Sequence, residues 1–222
     1  MKGNRDLSLV WHINNHFSDI NSSIDKINTN ISTEIRKSIL FDFMQIGELL
    51  NQLSKQFLEL FNNSDIYKLI SMRNRIVHGY SSIKDEIVFN SIKQELPIFI
   101  EKLNICAKEY QLSYLLQMLG KKVEVNIDRP KGYIHNEIKY SLNYGYIKDF
   151  VALDNEYQDV YVINEEEPID KFCGVVVGVI HRKNDIENKL VVSKNNRETS
   201  IEKIKEQVDF QEHFFDYEIL IK

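Results

Sequence analysis

Arg73, Asn74, His78 and Tyr80 fall within nine residues, Met72-Arg73-Asn74-Arg75-Ile76-Val77-His78-Gly79-Tyr80. Their types suit phosphodiester chemistry. A guanidinium binds phosphate through paired hydrogen bonds, and an imidazole moves a proton near neutral pH. On a helix Arg73 and Tyr80, seven apart, share a face, and so do Asn74 and His78, four apart. Gly79 is a natural helix end. At roughly 100° per residue, Arg73 and His78 stand about 140° apart. One regular helix therefore does not aim both at the same phosphate. Either the helix unwinds at Gly79, or two copies face each other across a two-fold axis. The same residues also suit a plain structural role, because Arg and His interact favourably with a helix C-terminus.

The elements that position this motif read as helices. Val10, Ile13, Phe17, Ile20, Ile24 and Ile27 recur at spacings of three and four, and so do Ile35, Ile39, Phe43, Ile46, Leu50, Leu53, Phe57 and Leu60. These are two long amphipathic stripes, the second capped by Ser32 or Thr33 with Glu34 behind them. A third helix is expected over about 65–78, capped by Asn63 or Ser64. A fourth is expected from near Lys84 past Leu103, bent or broken at Pro97. Together they make a helical bundle.

After Gly120 the period changes from the helical repeat to two. Residues 122–128, 158–163, 174–180 and 189–192 read as strands, with Asn184-Asp185 as a turn between two of them. A helix over about 200–214 and a closing strand over 217–221 follow. The domain boundary is placed at 110–120, giving a helical domain over 1–115 and a β domain over 120–222.

Composition narrows the function classes. The chain has 222 residues, 43% hydrophobic and 27% charged, enough for two small domains of a globular protein. No apolar run reaches the roughly 18–20 residues of a membrane span, and the N-terminus shows no signal-peptide pattern. Cys106 and Cys173 lack metal-ligand spacing and read as free thiols of a reducing compartment, so the cytoplasm is expected. Residues 1–116 hold 13 Lys and Arg against 13 Asp and Glu, and residues 117–222 hold 15 against 20. Neither half is a basic nucleic-acid-binding domain, so RNA contact must rest on a local patch or an oligomer groove, and DNA is not expected as a partner. His12 and His16, four apart, read as surface or interface histidines. Trp11 reads as packing, and Glu165-Glu166-Glu167 as a solvated loop.

From about Asp6 to Cys106 the chain resembles the HEPN superfamily, and within it the HepT-like toxins. Three stretches carry the resemblance: 38–50, the motif at 72–80 with its Arg-x4-His-x-Tyr spacing, and 86–97. The resemblance implies a metal-independent ribonuclease that needs no cofactor in this domain. Arg73 would hold the scissile phosphate, His78 would be the general acid or base, and Asn74 would orient a partner. It further implies a homodimer through the helical domain, a nucleotidyltransferase antitoxin as partner, and Tyr80 as the acceptor of AMP.

The second half has its own signature. Asn143-Tyr144-Gly145-Tyr146-Ile147, followed by Asp154-Asn155-Glu156-Tyr157-Gln158-Asp159, resembles the family I soluble inorganic pyrophosphatases over roughly 121–215. Asp128-Arg129-Pro130, Gly178-Val179-Ile180 and Lys189-Leu190-Val191 extend the likeness. It implies Asp154, Glu156, Asp159 and Asp185 as ligands of magnesium, and Tyr140, Tyr144 and Lys189 as phosphate contacts. This sequence departs from the family at several points. Glu156 stands where the family has its second aspartate, Tyr157 replaces a proline, and Phe214-Phe215 occupies the place of a Tyr-Lys pair. A degenerate domain is therefore expected. The fold class expected is α+β in two domains: an all-α bundle, then a small pyrophosphatase- or OB-like β-barrel with a C-terminal helix. Three functions follow: a toxin ribonuclease, a magnesium-dependent pyrophosphatase or other phosphoanhydride hydrolase, and a non-catalytic nucleotide or phosphate sensor.

Overall fold

The computed structural model describes residues 5–25, 32–61, 66–67, 70–71, 74, 91–195 and 200–222. It divides into two compact units, the described part of Arg5–Tyr110 and that of Gln111–Lys222.

The first unit is helical. α1 (Arg5–Asp25) buries Leu9, Val10, Ile13 and Ile20, and α2 (Thr33–Leu50) buries Ile39, Phe43, Ile46 and Leu50. Ser32 caps α2 by accepting a hydrogen bond from the Ile35 amide. The second stripe does not run on as one helix. It stops at Asn51, and α3 (Lys55–Leu60) restarts with Ser54 as its cap, accepting from the Phe57 amide. The break is fixed from far along the chain. Buried Asp6 accepts from the Ser54 amide (2.8 Å), the Ser54 hydroxyl (2.7 Å) and the Tyr110 hydroxyl (3.2 Å). A π-helical turn, Ser91–Glu95, leads into α4 (Leu96–Leu116). Pro97 stands just inside α4, where its missing N–H and its ring favour a widened turn before it. α4 buries Phe99, Ile100, Leu103, Ala107 and Tyr110. Reciprocal amide bonds between Asn14 and Asn104 tie α1 to it. The division between the units falls within α4.

The second unit is a barrel. β1 (Lys122–Arg129), β4 (Asn143–Val151), β5 (Tyr157–Val162), β7 (Lys189–Ser193) and β6 (Lys171–Arg182) pair in that spatial order, and β1 pairs again with β6 to close the ring. All pairs are antiparallel except β5 with β7. This is the five-stranded Greek-key closure of an OB-like barrel. A two-stranded hairpin, β2 (Ile134–His135) and β3 (Ile138–Lys139), projects from it, with Asn136 and Glu137 in left-handed conformation at its turn. α5 (Ile201–Glu212), capped by Ser200, packs on one side, and β8 (Tyr217–Leu220) extends the sheet beside β6. The barrel core is Val125, Phe150, Val160, Val162, Val176, Val179, Leu190 and Val192, and a second cluster under α5 holds Tyr161, Ile180, Val191, Ile204 and Val208. α+β in two units is therefore the fold class. β4, absent from the expected strand list, is a nine-residue strand. Gly145 at its centre is required by close approach, since a Cβ there would lie 2.0 Å from the Asn126 carbonyl oxygen on β1.

Candidate functional site

A cavity of about 650 Å³ lies on the outer face of the wall formed by β1, β4, β5 and β7, opposite the core side chains Val160, Val162, Leu190 and Val192. Period-two alternation along β4 brings Tyr144 and Tyr146 to it, and along β5 it brings Tyr157 and Asp159. β1 contributes two neighbours, Asp128 and Arg129, which regular pleating would point to opposite faces. A β-bulge resolves this. Ile127 pairs with Gly145 and Arg129 with Tyr144, so Asp128 is an extra residue and both side chains reach the cavity. The turn before β5 supplies Asp154 and Glu156. It is held by Asn155 in left-handed conformation and by the Asp154 carboxylate accepting from the Glu156 amide at 3.0 Å.

Lys189 on β7 is almost wholly buried, and its ammonium donates to Asp159 and, at 2.6 Å, to Glu187. Arg129 donates to the Tyr140 hydroxyl and lies over the Tyr140 and Tyr144 rings at 5.4 and 5.3 Å. Burial raises the Asp154 carboxyl, opposed by the Glu156 amide and assisted by the Glu187 and Asp159 charges. Burial likewise raises Asp128, against the pull of Arg129. Burial and the Asp159 carboxylate push the Tyr144 hydroxyl well above the ordinary phenol value.

Six residues singled out from sequence, Tyr140, Tyr144, Lys189, Asp154, Glu156 and Asp159, thus line one cavity. Asp185 does not. It accepts from Arg182 at 2.9 Å, and Glu187, two residues on, faces the cavity instead. Arg182 is buried against Glu212 of α5 through two hydrogen bonds of 2.8 and 2.6 Å, with its guanidinium 3.6 Å from the Phe215 ring centre. Burial alone would weaken that charge, and the Glu212 carboxylate more than offsets it. Phe214 is exposed and Phe215 covers Arg182, so neither enters the cavity. Arg129, Asp128, Tyr157 and Gln211 line the cavity too, though the sequence marked none of them as a site residue. For Arg129 and Asp128 the bulge is the reason, since it shows only in the strand pairing.

The donors at Asp154, Glu156, Asp159 and Glu187 are all oxygen, which fits a hard divalent cation rather than zinc. Among the described residues, the group whose ligand atoms lie within 4.8 Å of one another is a different one: His16 and Asp19 of α1 with Asp42 of α2. His16 and Asp42 are 3.0 Å apart, and burial raises the Asp42 carboxyl while His16 lowers it. His16 is thus half-buried against a carboxylate rather than a bare surface histidine. Of the motif at 72–80, Asn74 is helical and exposed, while Arg73, Arg75, His78 and Tyr80 lie outside the described residues. No helix among the described residues is long and apolar enough to cross a membrane.

No curated protein matches the chain. Among solved structures it is similar to an inorganic pyrophosphatase from Ehrlichia chaffeensis, at 16% identity and a TM-score of 0.39, covering 46% of this chain and 87% of that one. It is also similar to an inorganic pyrophosphatase from Neisseria gonorrhoeae, at 17% identity and a TM-score of 0.35, covering 43% and 74%. A third, from Coxiella burnetii, has 15% identity and a TM-score of 0.34, covering 47% and 85%. Residues 7–105, which hold α1 to α3 and the first half of α4, match the family Ribonuclease HepT-like. That stretch is similar to the HepT-like domains of the HEPN superfamily.

Proposed function

We propose that the chain is a HepT-like toxin, an RNA endonuclease that works without metal, carrying a barrel that binds a phosphorylated ligand. The observation that carries the first part is the family match over residues 7–105, which contains the Arg73-x4-His78-x-Tyr80 spacing. Arg73 holds the scissile phosphate and stabilises the charge that develops on it. His78 serves as proton donor or acceptor. The RNA 2′-oxygen gives up its proton and bonds to phosphorus, the bond to the 5′-oxygen breaks, and that oxygen takes a proton. Asn74 orients a partner of this exchange. Two copies supply the opposed Arg73 and His78 that one helix cannot, which makes the active form a homodimer. AMP on Tyr80, placed by a nucleotidyltransferase antitoxin, adds negative charge and bulk on the face that holds Arg73 and blocks RNA phosphate. The test is RNA cleavage by the purified full chain, with EDTA and with magnesium. Equal rates are expected; cleavage abolished by EDTA and restored by magnesium would overturn metal independence.

A second proposal concerns the barrel and is supported by its cavity. Cationic Arg129 and Lys189, the tyrosines and the carboxylates converge there, a combination suited to phosphate. Lys189 is already matched by Asp159 and Glu187, so a phosphorylated ligand needs further positive charge. Asp154, Glu156 and Asp159 would hold a magnesium ion, which would supply that charge to the phosphate oxygens. Arg129 and Lys189 orient the ligand, and Tyr140 fixes Arg129. With Asp185 turned to Arg182 and Phe214 outside the cavity, fewer groups stabilise a transition state than a fast phosphoanhydride hydrolase needs. Phosphate release from pyrophosphate should therefore be near background. Turnover on the order of hundreds per second would make hydrolysis the main function of the barrel.

A further inference from the structure

We propose that the ligand of the barrel cavity is a nucleotide, with its base stacked on Tyr157 at the cavity mouth and its phosphates among Arg129 and Lys189. The proposal rests on the phosphate-ligand reading of the cavity and adds the other half of the ligand.

Tyr146 and Tyr157 both line the cavity, and their rings are stacked, with centroids 5.2 Å apart and planes 12° from parallel. Tyr157 keeps 41% of its surface exposed, whereas Tyr146 is partly covered. Large apolar rings left open at a cavity mouth point to something that covers them. The pair comes from two strands: Tyr146 lies opposite Asp159, and Tyr157 opens β5 opposite Val151. Tyr157 is two residues before Asp159, the partner of Tyr146, so the two rings are diagonal neighbours within aromatic reach. Stacking on Tyr146 holds the Tyr157 ring, so the ring loses little freedom when a ligand binds to it. Any base has a flat π-face, and stacking on an aromatic ring tolerates them all.

Bare pyrophosphate has no use for such a platform, and it does not fill the space. About 650 Å³ lies within the roughly 300–1,000 Å³ of pockets that take small-molecule and cofactor ligands. That is room for base, sugar and phosphates together. The cavity holds the two kinds of group such a ligand needs: an aromatic stack at Tyr146 and Tyr157, and the cations Arg129 and Lys189 with their hydrogen-bond partners.

Calorimetry on the full chain with magnesium, using ADP, UDP and inorganic pyrophosphate as probes, tests this. Both nucleotides should bind more tightly than pyrophosphate. Tyr157→Ala should weaken ADP and UDP by about 5- to 150-fold, the range for loss of one stacked base, and leave pyrophosphate unchanged. Tyr157→Phe, which keeps the ring, should retain nucleotide affinity and shows that any loss in the alanine variant is loss of the platform. Lys189→Met should weaken all three probes. If Tyr157→Ala binds nucleotides as wild type does while Lys189→Met loses all three, the stacking proposal is overturned and the phosphate site stands. If wild type binds none of the three, the phosphate site itself is refuted and the stacking proposal goes with it.

Discussion

Glu212→Ala should unfold the barrel far more readily than its position at a helix end suggests. Glu212 is fully buried, and Arg182 is 2% exposed. Glu212 accepts two hydrogen bonds from Arg182 and one from the Tyr161 hydroxyl. Removing it leaves Nε and Nη2 of a buried guanidinium without the partner they had, with Asp185, Glu187 at 3.6 Å and Phe215 as its remaining neighbours, and leaves Tyr161 bonded only to Gln211. Breaking one side of a buried ion pair costs about 3–5 kcal/mol. At about 4 °C per kcal/mol for a unit of this size, the melting temperature should fall by roughly 12–20 °C. Eight of the eleven tyrosines lie in residues 111–222, so near-UV circular dichroism on heating follows this unit. The double variant Arg182→Met/Glu212→Leu, which removes both charges and keeps the volume, should recover most of the loss. A drop under about 4 °C for Glu212→Ala, or a double variant as unstable as the single, would refute the assignment of Arg182 and Glu212 as the clamp between barrel and α5.

Asp42 offers a pH test in the helical unit. Its folded pKa is raised, chiefly by burial, so the folded state holds its proton more tightly than the unfolded chain. Stability contributed by the protonated form is lost as pH climbs from the ordinary aspartate value of about 3.9 through the raised folded value. Asp42→Asn should therefore melt higher than wild type at neutral pH, with the gain vanishing below the ordinary aspartate value; a gain equal at both pH values would exclude titration of Asp42 as its source. Mass spectrometry after co-expression with a cognate nucleotidyltransferase should find AMP on Tyr80, and modification elsewhere would remove Tyr80 as the acceptor. Light scattering should give a dimer at micromolar concentration. Mixing inactive Arg73→Ala and His78→Ala chains should restore part of the RNA cleavage, whereas a fully active monomer would rule out a shared site.

Local patterns carried much of this architecture into view. Spacings of three and four in α1 and α2, and alternation from Lys122 onward, are set by the geometry of single elements and need no partner to be seen. Asp154 and Glu156 are marked by the resemblance over 143–159, which is also a matter of local sequence. What escaped the sequence depends on contacts far along the chain. The stripe from Ile35 to Leu60 looks continuous, yet Asp6, 48 residues away, captures Ser54 and breaks it. β4 carries a glycine at its centre, which weakens a strand pattern, and only its close approach to Asn126 explains it. Arg129 enters the cavity through a bulge defined by the β1–β4 register. Asp185 leaves it because α5 buries Arg182, and that arginine claims the carboxylate.

We propose that the helical domain cleaves RNA through Arg73 and His78. The most direct measurement is the rate of RNA cleavage, in EDTA, by the purified full chain and by its His78→Ala variant. The wild type should cleave, and the variant should be slower by about a hundredfold or more. A His78→Ala protein that cleaves as fast as wild type would contradict the assignment.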